Sequence, residues 1–162
     1  LKNLKQLEVL SLPPLIGKIE FLRQQEQLET IITDAGNPKQ TAKEFWTYRD
    51  AGVFRLKNAL KARNPDYVYD GTFQVAAGKL VEVNLAHTKV YDLTPLRGLE
   101  LRSLRLTNTL VHSLKPLEGM PLQQLYLHHC QYLDDLSPLA TLKSLRKLTI
   151  PAHVTRQDFL KS

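Results

Sequence analysis

The sequence predicts a mixed α/β fold in which short parallel strands, one per repeat, stack into a sheet and are joined by short 3₁₀ or turn segments. Three observations predict it: an internal repeat, a two-residue alternation inside each copy, and a Pro and Gly pair at fixed places in the copies. In register, Leu101 to Met120 falls on Leu80 to Leu99, an offset of 21. Val83, Leu85, Thr88, Val90, Leu93, Pro95, Leu96 and Gly98 meet Leu104, Leu106, Thr109, Val111, Leu114, Pro116, Leu117 and Gly119. A third copy, Leu122 to Leu142, keeps this offset through Cys130 and then gains one residue. A fourth, from Leu145 to Leu160, begins alike and departs. Such periodicity is the signature of stacked repeat architectures.

Each position in a copy has a physical reading. The Leu-x-Leu segment has the period of a strand with one buried face, so alternate side chains face solvent. Thr94-Pro95, Lys115-Pro116 and Ser137-Pro138 start a short helical or 3₁₀ turn, where an early proline costs no hydrogen bond. Gly98 and Gly119 suit the turn back to the next strand. One copy buries several aliphatic side chains, on the order of 10 kcal/mol gross before chain entropy is subtracted. A single copy cannot stand alone, and stacking is obligatory.

These residues resemble the leucine-rich repeat (LRR) family in its short form, with outer turns written DLTPL at 92–96 and DLSPL at 135–139. The resemblance implies an α/β leucine-rich repeat solenoid: right-handed, with a parallel concave β-sheet and a short 3₁₀ or turn convex side, used mainly for protein recognition. The chain departs from the family at the ladder asparagine, where it has Thr88, Thr109 and Cys130. Threonine is expected to bond a neighbouring rung. Cys130, a weaker hydrogen-bonding group, should tie its rung less well.

A longer period overlies the short one. Leu139 to Lys161 aligns without a gap on Leu1 to Arg23, so that Leu10, Leu12, Pro13 and Phe21 meet Leu148, Ile150, Pro151 and Phe159. The chain also begins at Leu1 without an initiator methionine. The expected layout is the end of a preceding LRR run over 1–36, an insert over 37–79, and a second run over 80–162, together about one superrepeat of a longer protein.

The insert carries helix and hairpin signals. Asn37-Pro38 breaks the chain, and Thr41-Ala42-Lys43-Glu44 has capping-box spacing, which predicts a helix over about 42–50, stopped before Gly52. A second helix over about 53–63 places Leu56, Ala59 and Leu60 on one face and ends at Asn64-Pro65. Thr72 to Val75 and Leu80 to Leu85 then read as a hairpin around Ala76-Ala77-Gly78-Lys79. This helical plus β-hairpin insert looks like the N-terminal caps of plant-type LRR domains, which cover an open sheet edge. Phe45 and Trp46 are read as cap core.

Composition narrows the function classes. With 43% hydrophobic and 23% charged residues the chain is globular. The net charge of +6 is spread along it with no basic tail, so nucleic acid is not expected as a partner. No apolar run approaches a bilayer span, and there is no signal-peptide layout. Cys130 is the only cysteine, so nothing calls for an oxidising compartment and the reading leans to the cytoplasm. Phosphate-loop, dinucleotide, nucleophile-elbow, zinc-protease and paired-cysteine motifs are absent, and neither an enzyme nor a cofactor is expected. His87 and His129 occupy equivalent positions two rungs apart, roughly 9–10 Å at about 4.8 Å per strand. That is too far for one zinc ion, which needs ligands at about 2.0–2.1 Å. These histidines, with His128, are read as solvated.

The candidate site is the exposed strand face. Its outward columns are Glu82, Ser103, Gln124 and Lys147, then Asn84, Arg105, Tyr126 and Thr149, then Ala86, Thr107, His128 and Pro151. The preceding column adds Arg102, Gln123 and Arg146. Basic residues outnumber the single acid, and Tyr126 is a typical anchor type. The expected binding residues are Glu82, Asn84, Arg102, Arg105, Gln124, Tyr126, His128 and Lys147, and the expected partner is an acidic or polar protein or peptide segment. Self-association through the open solenoid ends is a further expectation. The main reading is a protein-interaction module of a larger repeat protein. LRR runs of this kind also resemble those appended to some bacterial serine/threonine kinases, and a sensor or substrate-recruiting region of such a signalling enzyme is the alternative.

Overall fold

The computed structural model describes residues 8–12, 19–24, 28–33 and 40–154. They form a mixed α/β protein with two α-helices and two sheets, both rich in parallel pairing. The chain divides into two compact units, Leu1–Asp50 and Ala51–Ser162. The division falls inside the 37–79 insert, between its two helices. Asn37-Pro38, the first residues of the long period and its Asp158 to Lys161 end lie outside the described residues, as does the end of the fourth copy.

In the first unit, β1 (Val9–Leu12) pairs in parallel with β2 (Thr30–Thr33), and β3 (Gln40–Thr41) adds antiparallel to β2. Val9 pairs with Thr30, the same spacing of 21 that the later repeats show. Helix α1 (Ala42–Asp50) follows directly. Its capping box is made in both directions. The Glu44 N–H donates to Thr41 Oγ1 at 3.2 Å, and the Thr41 N–H donates to Glu44 Oε2 at 3.0 Å. Those bonds hold the Glu44 carboxyl below its usual range, the Thr41 backbone contribution being the largest. Ile31 and Phe45 are buried in this unit. Trp46 is only half-buried and carries the Arg23 guanidinium 4.4 Å from its ring centre. Arg23 also pairs with Glu20 and Asp50.

The second unit opens with α2 (Val53–Arg63). Val53, Leu56, Lys57 and Leu60 are its buried face, while Ala59, expected there, is half-buried. Lys57 on that face is a departure from the sequence reading: its ammonium lies 5.1 Å from the Phe73 ring centre, and burial pushes its pKa down to about 8. Lys61 and Arg63 in the last turn suit the negative end of the helix dipole. The helix ends at Asn64, whose side chain does more than terminate it. Asn64 is fully buried; its Nδ2 donates to the Leu60 and Asp92 carbonyls at 2.9 and 3.1 Å, and its Oδ1 accepts the Tyr91 and Asp92 N–H groups at 2.9 and 2.8 Å. One side chain thereby ties the helix to the first repeat.

A hairpin then starts the sheet. β4 (Thr72–Ala76) pairs antiparallel with β5 (Lys79–Asn84), so the loop is shorter than expected, only Ala77 and Gly78. Both have positive φ, 49° and 73°, the requirement of the two-residue turn that matches strand twist. The register slips by one residue after Gln74. Beyond β5 come β6 (Ser103–Arg105), β7 (Gln124–Tyr126) and β8 (Lys147–Thr149), all parallel, in the spatial order β4-β5-β6-β7-β8. Ladder bonds run past the strand ends: Leu85 N–H to the Arg105 carbonyl and His87 N–H to the Thr107 carbonyl, both 2.8 Å.

Between strands, the segments Thr94–Leu96, Lys115–Leu117 and Ser137–Thr141 are 3₁₀ turns with proline in their first residues. An upstream side chain satisfies a free N–H at each start. Asp92 Oδ1 accepts Thr94 N–H at 2.7 Å, Ser113 Oγ accepts Lys115 N–H at 3.4 Å, and Asp135 Oδ1 accepts Ser137 N–H at 2.9 Å. The inward residues form stacked columns such as Leu85, Leu106 and Leu127, and Leu96 and Leu117, each with no exposed surface. Every such leucine contributes about 1.5–3 kcal/mol of gross burial, and only its counterparts in adjacent repeats can cover it.

The ladder position meets the expectation only in part. Thr88 and Thr109 donate their hydroxyl protons to Leu85 and Leu106 within their own repeats, at 2.7 Å each. The cross-link comes from the cysteine: Cys130 Sγ lies 3.0 Å from the Leu106 carbonyl and 3.5 Å from Thr109 Oγ1, both one repeat earlier. A hydroxyl on a short β-branched stem reaches the carbonyl three residues back more readily than a neighbouring strand. Thr88 closes its own turn, whereas Thr109 also meets the thiol of the following repeat.

Candidate functional site

The pairing register sets the exposed face. Asn84, Arg105, Tyr126 and Thr149 are directly paired across four strands, as are Glu82, Ser103, Gln124 and Lys147. Val83, Leu104 and Leu125 between them point into the core. Adjacent strands lie about 4.8 Å apart, so long side chains on neighbouring strands touch.

Tyr126 is the centre of that face. The Arg105 guanidinium carbon stands 4.7 Å from its ring centre, and the Lys147 ammonium stands 5.3 Å from it. The Tyr126 hydroxyl donates to Gln124 Oε1 at 2.9 Å. Arg105 Nε in turn meets Glu82 Oε1 at 3.4 Å, where Glu82 is largely covered and Arg105 remains partly exposed. Cation–π pairs at exposed sites contribute about 0.5–1 kcal/mol each. The combined effect is positional: a half-buried aromatic ring held between two cations, with the Glu82 carboxylate paired to Arg105.

Glu82, Arg105, Gln124, Tyr126 and Lys147 are thus brought together as expected columns. Asn84, Arg102 and His128 are not part of this linked set. Asn84 turns its Oδ1 to the Ala86 N–H at 3.0 Å and serves its own turn. Arg102 is exposed, and His128 sets its ring against His129 at 5.7 Å between centres. Ser103 also departs from the outward reading of its column. It is 7% exposed, because its short side chain ends below those of its register neighbours Glu82 and Gln124.

The histidine column lies at one end of the face. His87, Asn108 and His129 all adopt positive φ, 64°, 55° and 59°, in successive repeats. The Asn108 side-chain amide lies 3.2 Å from His87 Nδ1, linking two successive repeats. Among the described residues no group of three His, Cys, Asp or Glu side chains could hold a metal ion, and no helix is long and apolar enough to cross a membrane.

A second grouping was not singled out in the sequence. Tyr91 and His112, equivalent by the repeat offset, stack with centres 6.3 Å apart and planes at 22° beside a cleft on the 3₁₀-turn side. The one available signal was an aromatic and a histidine at the same place in consecutive copies. No family model matches this chain, and no curated protein or solved structure matches it either.

Proposed function

We propose that the chain is a protein-interaction module whose second unit is a leucine-rich repeat solenoid, and that its exposed strand face takes an acidic or polar protein segment. The fold reading is supported by parallel strands paired at the repeat offset and by proline-started 3₁₀ turns between them. The observation that carries the binding reading is Tyr126 held between Arg105 and Lys147 on a solvent-facing strand surface. A tyrosine in a fixed position supplies contact area at little entropic cost, and flanking cations select for acidic neighbours and speed encounter.

Panning a random-peptide phage library against the intact chain tests this. The expected result is enrichment of acidic sequences that fail to bind a folded Arg105→Ser/Tyr126→Ser variant. Enrichment without acidic bias, or peptides that bind both proteins equally, would remove the strand face as the site.

A further inference from the structure

The 3₁₀-turn side of the second unit holds a cleft of about 350 Å³ between residues 91–97 and 112–116. Its lining includes Tyr91, Asp92, Arg97, His112, Ser113 and Lys115. That volume is at the low end for small-molecule sites and exceeds what a bare oxyanion fills.

The chemistry of the lining is lopsided. Arg97 and Lys115 are donors with no acceptor capacity, and Tyr91 and Ser113 carry hydroxyl protons. Ser113 Oγ already accepts the Lys115 N–H, which leaves its proton to donate elsewhere. Asp92 is the single carboxylate of the lining; its Oδ1 accepts the Thr94 N–H at 2.7 Å, it keeps its negative charge, and Asp135 outside the lining interacts electrostatically with Lys115. Burial raises the Asp92 carboxyl, but the Thr94 hydroxyl and N–H, with the nearby Arg63 and His112, hold it below the usual range. Neither Arg97 nor Lys115 forms a salt bridge among the described residues. A cleft whose two cations outnumber its one carboxylate favours a ligand group that accepts hydrogen bonds and carries negative charge, and a phosphate is the densest such group.

The aromatic wall adds the second requirement. Tyr91 and His112 are stacked, and Tyr91 is 37% exposed, so part of a flat surface stays open. Asn64 fixes that wall, because its Oδ1 accepts the Tyr91 and Asp92 N–H groups at 2.9 and 2.8 Å. A wall that is already ordered lowers the entropic cost of binding.

We infer that this cleft binds an aryl phosphomonoester, with the phosphate on Arg97 and Lys115 and the ring against the Tyr91–His112 pair. The group could come from a free small molecule or from a phosphotyrosine side chain, and the cleft recognises the chemistry they share. This site is separate from the strand face and does not depend on it.

NMR titrations of the intact chain with phenyl phosphate, inorganic phosphate, phenol and a short phosphotyrosine peptide test the assignment. Phenyl phosphate should bind saturably, at least about tenfold tighter than inorganic phosphate or phenol, and shift the Tyr91 and His112 ring signals. Arg97→Gln/Lys115→Gln, at exposed positions, should weaken it at least about tenfold with an unchanged far-UV spectrum, and Lys115→Gln alone should weaken it less. A phosphotyrosine peptide that binds tighter than phenyl phosphate indicates a protein source; one that binds more weakly indicates a free ligand. Phenyl phosphate binding no tighter than phenol, or equally well to the double variant, would overturn the assignment.

Discussion

Asn64 holds both backbone groups of Asp92: its Oδ1 accepts the Asp92 N–H at 2.8 Å and its Nδ2 donates to the Asp92 carbonyl at 3.1 Å. The two residues are 28 apart in the chain, and Asn64 has no exposed surface. The contact joins the end of α2 to the loop that leads into the first 3₁₀ turn, so it fixes where the repeats begin.

Loss of that side chain leaves the part-buried Tyr91 and Asp92 N–H groups, and the Leu60 carbonyl with them, without their side-chain partner. An unsatisfied buried group costs about 1–3 kcal/mol. Asn64→Ala should therefore destabilise the second unit by about 2–4 kcal/mol in urea unfolding. Asn64→Asp should also destabilise, because a carboxylate oxygen would face the Leu60 and Asp92 carbonyls that Nδ2 now serves. A cost under about 0.5 kcal/mol for Asn64→Ala would show that the tie is dispensable.

Two glycines separate crowding from backbone strain. A Cβ on Gly71 would meet Leu85 Cδ2 at 2.7 Å and the Asn84 carbonyl at 3.0 Å, although its φ is not in the left-handed region. A Cβ on Gly78 meets nothing within 4 Å, but φ is +73°. Gly71→Ala should cost about 2–3 kcal/mol by overpacking a buried leucine, and Gly78→Ala about 1 kcal/mol by strain alone. Thermal unfolding of the two variants side by side checks the order; equal costs would contradict it.

Lys57 makes stability depend on alkaline pH in an unusual direction. Its folded pKa is about 8 against an ordinary 10.5, lowered by burial. Between these values the unfolded chain binds the extra proton, so stability rises with pH. From pH 8 to pH 10 the rise should be about 2 kcal/mol, at about 1.4 kcal/mol per unit. Tyr67, pushed up to about 12 by burial, works against it only above pH 10, where the unfolded phenol ionises first. Urea unfolding at pH 8 and pH 10 measures the effect, and Lys57→Met should abolish it. A flat profile in the parent chain would contradict the burial of a charge-bearing lysine.

Some of this was legible in the sequence because the signals are local. Thr41 and Glu44 mark the start of α1, and Asn64-Pro65 marks the end of α2. A fixed spacing also made the columns readable, so Arg105 and Tyr126 could be placed side by side before any coordinates. What escaped depends on tertiary placement. Nothing near Asn64 shows that it reaches Tyr91 and Asp92, and nothing near Lys57 shows that it lies against Phe73. Ser103 follows the outward alternation yet is buried, because exposure depends on the length of its neighbours as well as on its face. The threonine ladder holds at Thr109, which meets Cys130 of the next repeat, and not at Thr88, because side-chain reach, not residue type alone, decides which group is bonded.

Tyr126, held between Arg105 and Lys147, is the proposed anchor for an acidic partner on the strand face. The most direct measurement is the affinity of a library-selected acidic peptide, by fluorescence anisotropy, for the parent chain, Tyr126→Ala and the control Tyr132→Ala, whose residue is 60% exposed elsewhere on the same unit. Tyr126→Ala should bind at least about tenfold more weakly, or about 1.4 kcal/mol, with the control unchanged. Binding by Tyr126→Ala within about twofold of the parent, roughly 0.4 kcal/mol, would contradict it.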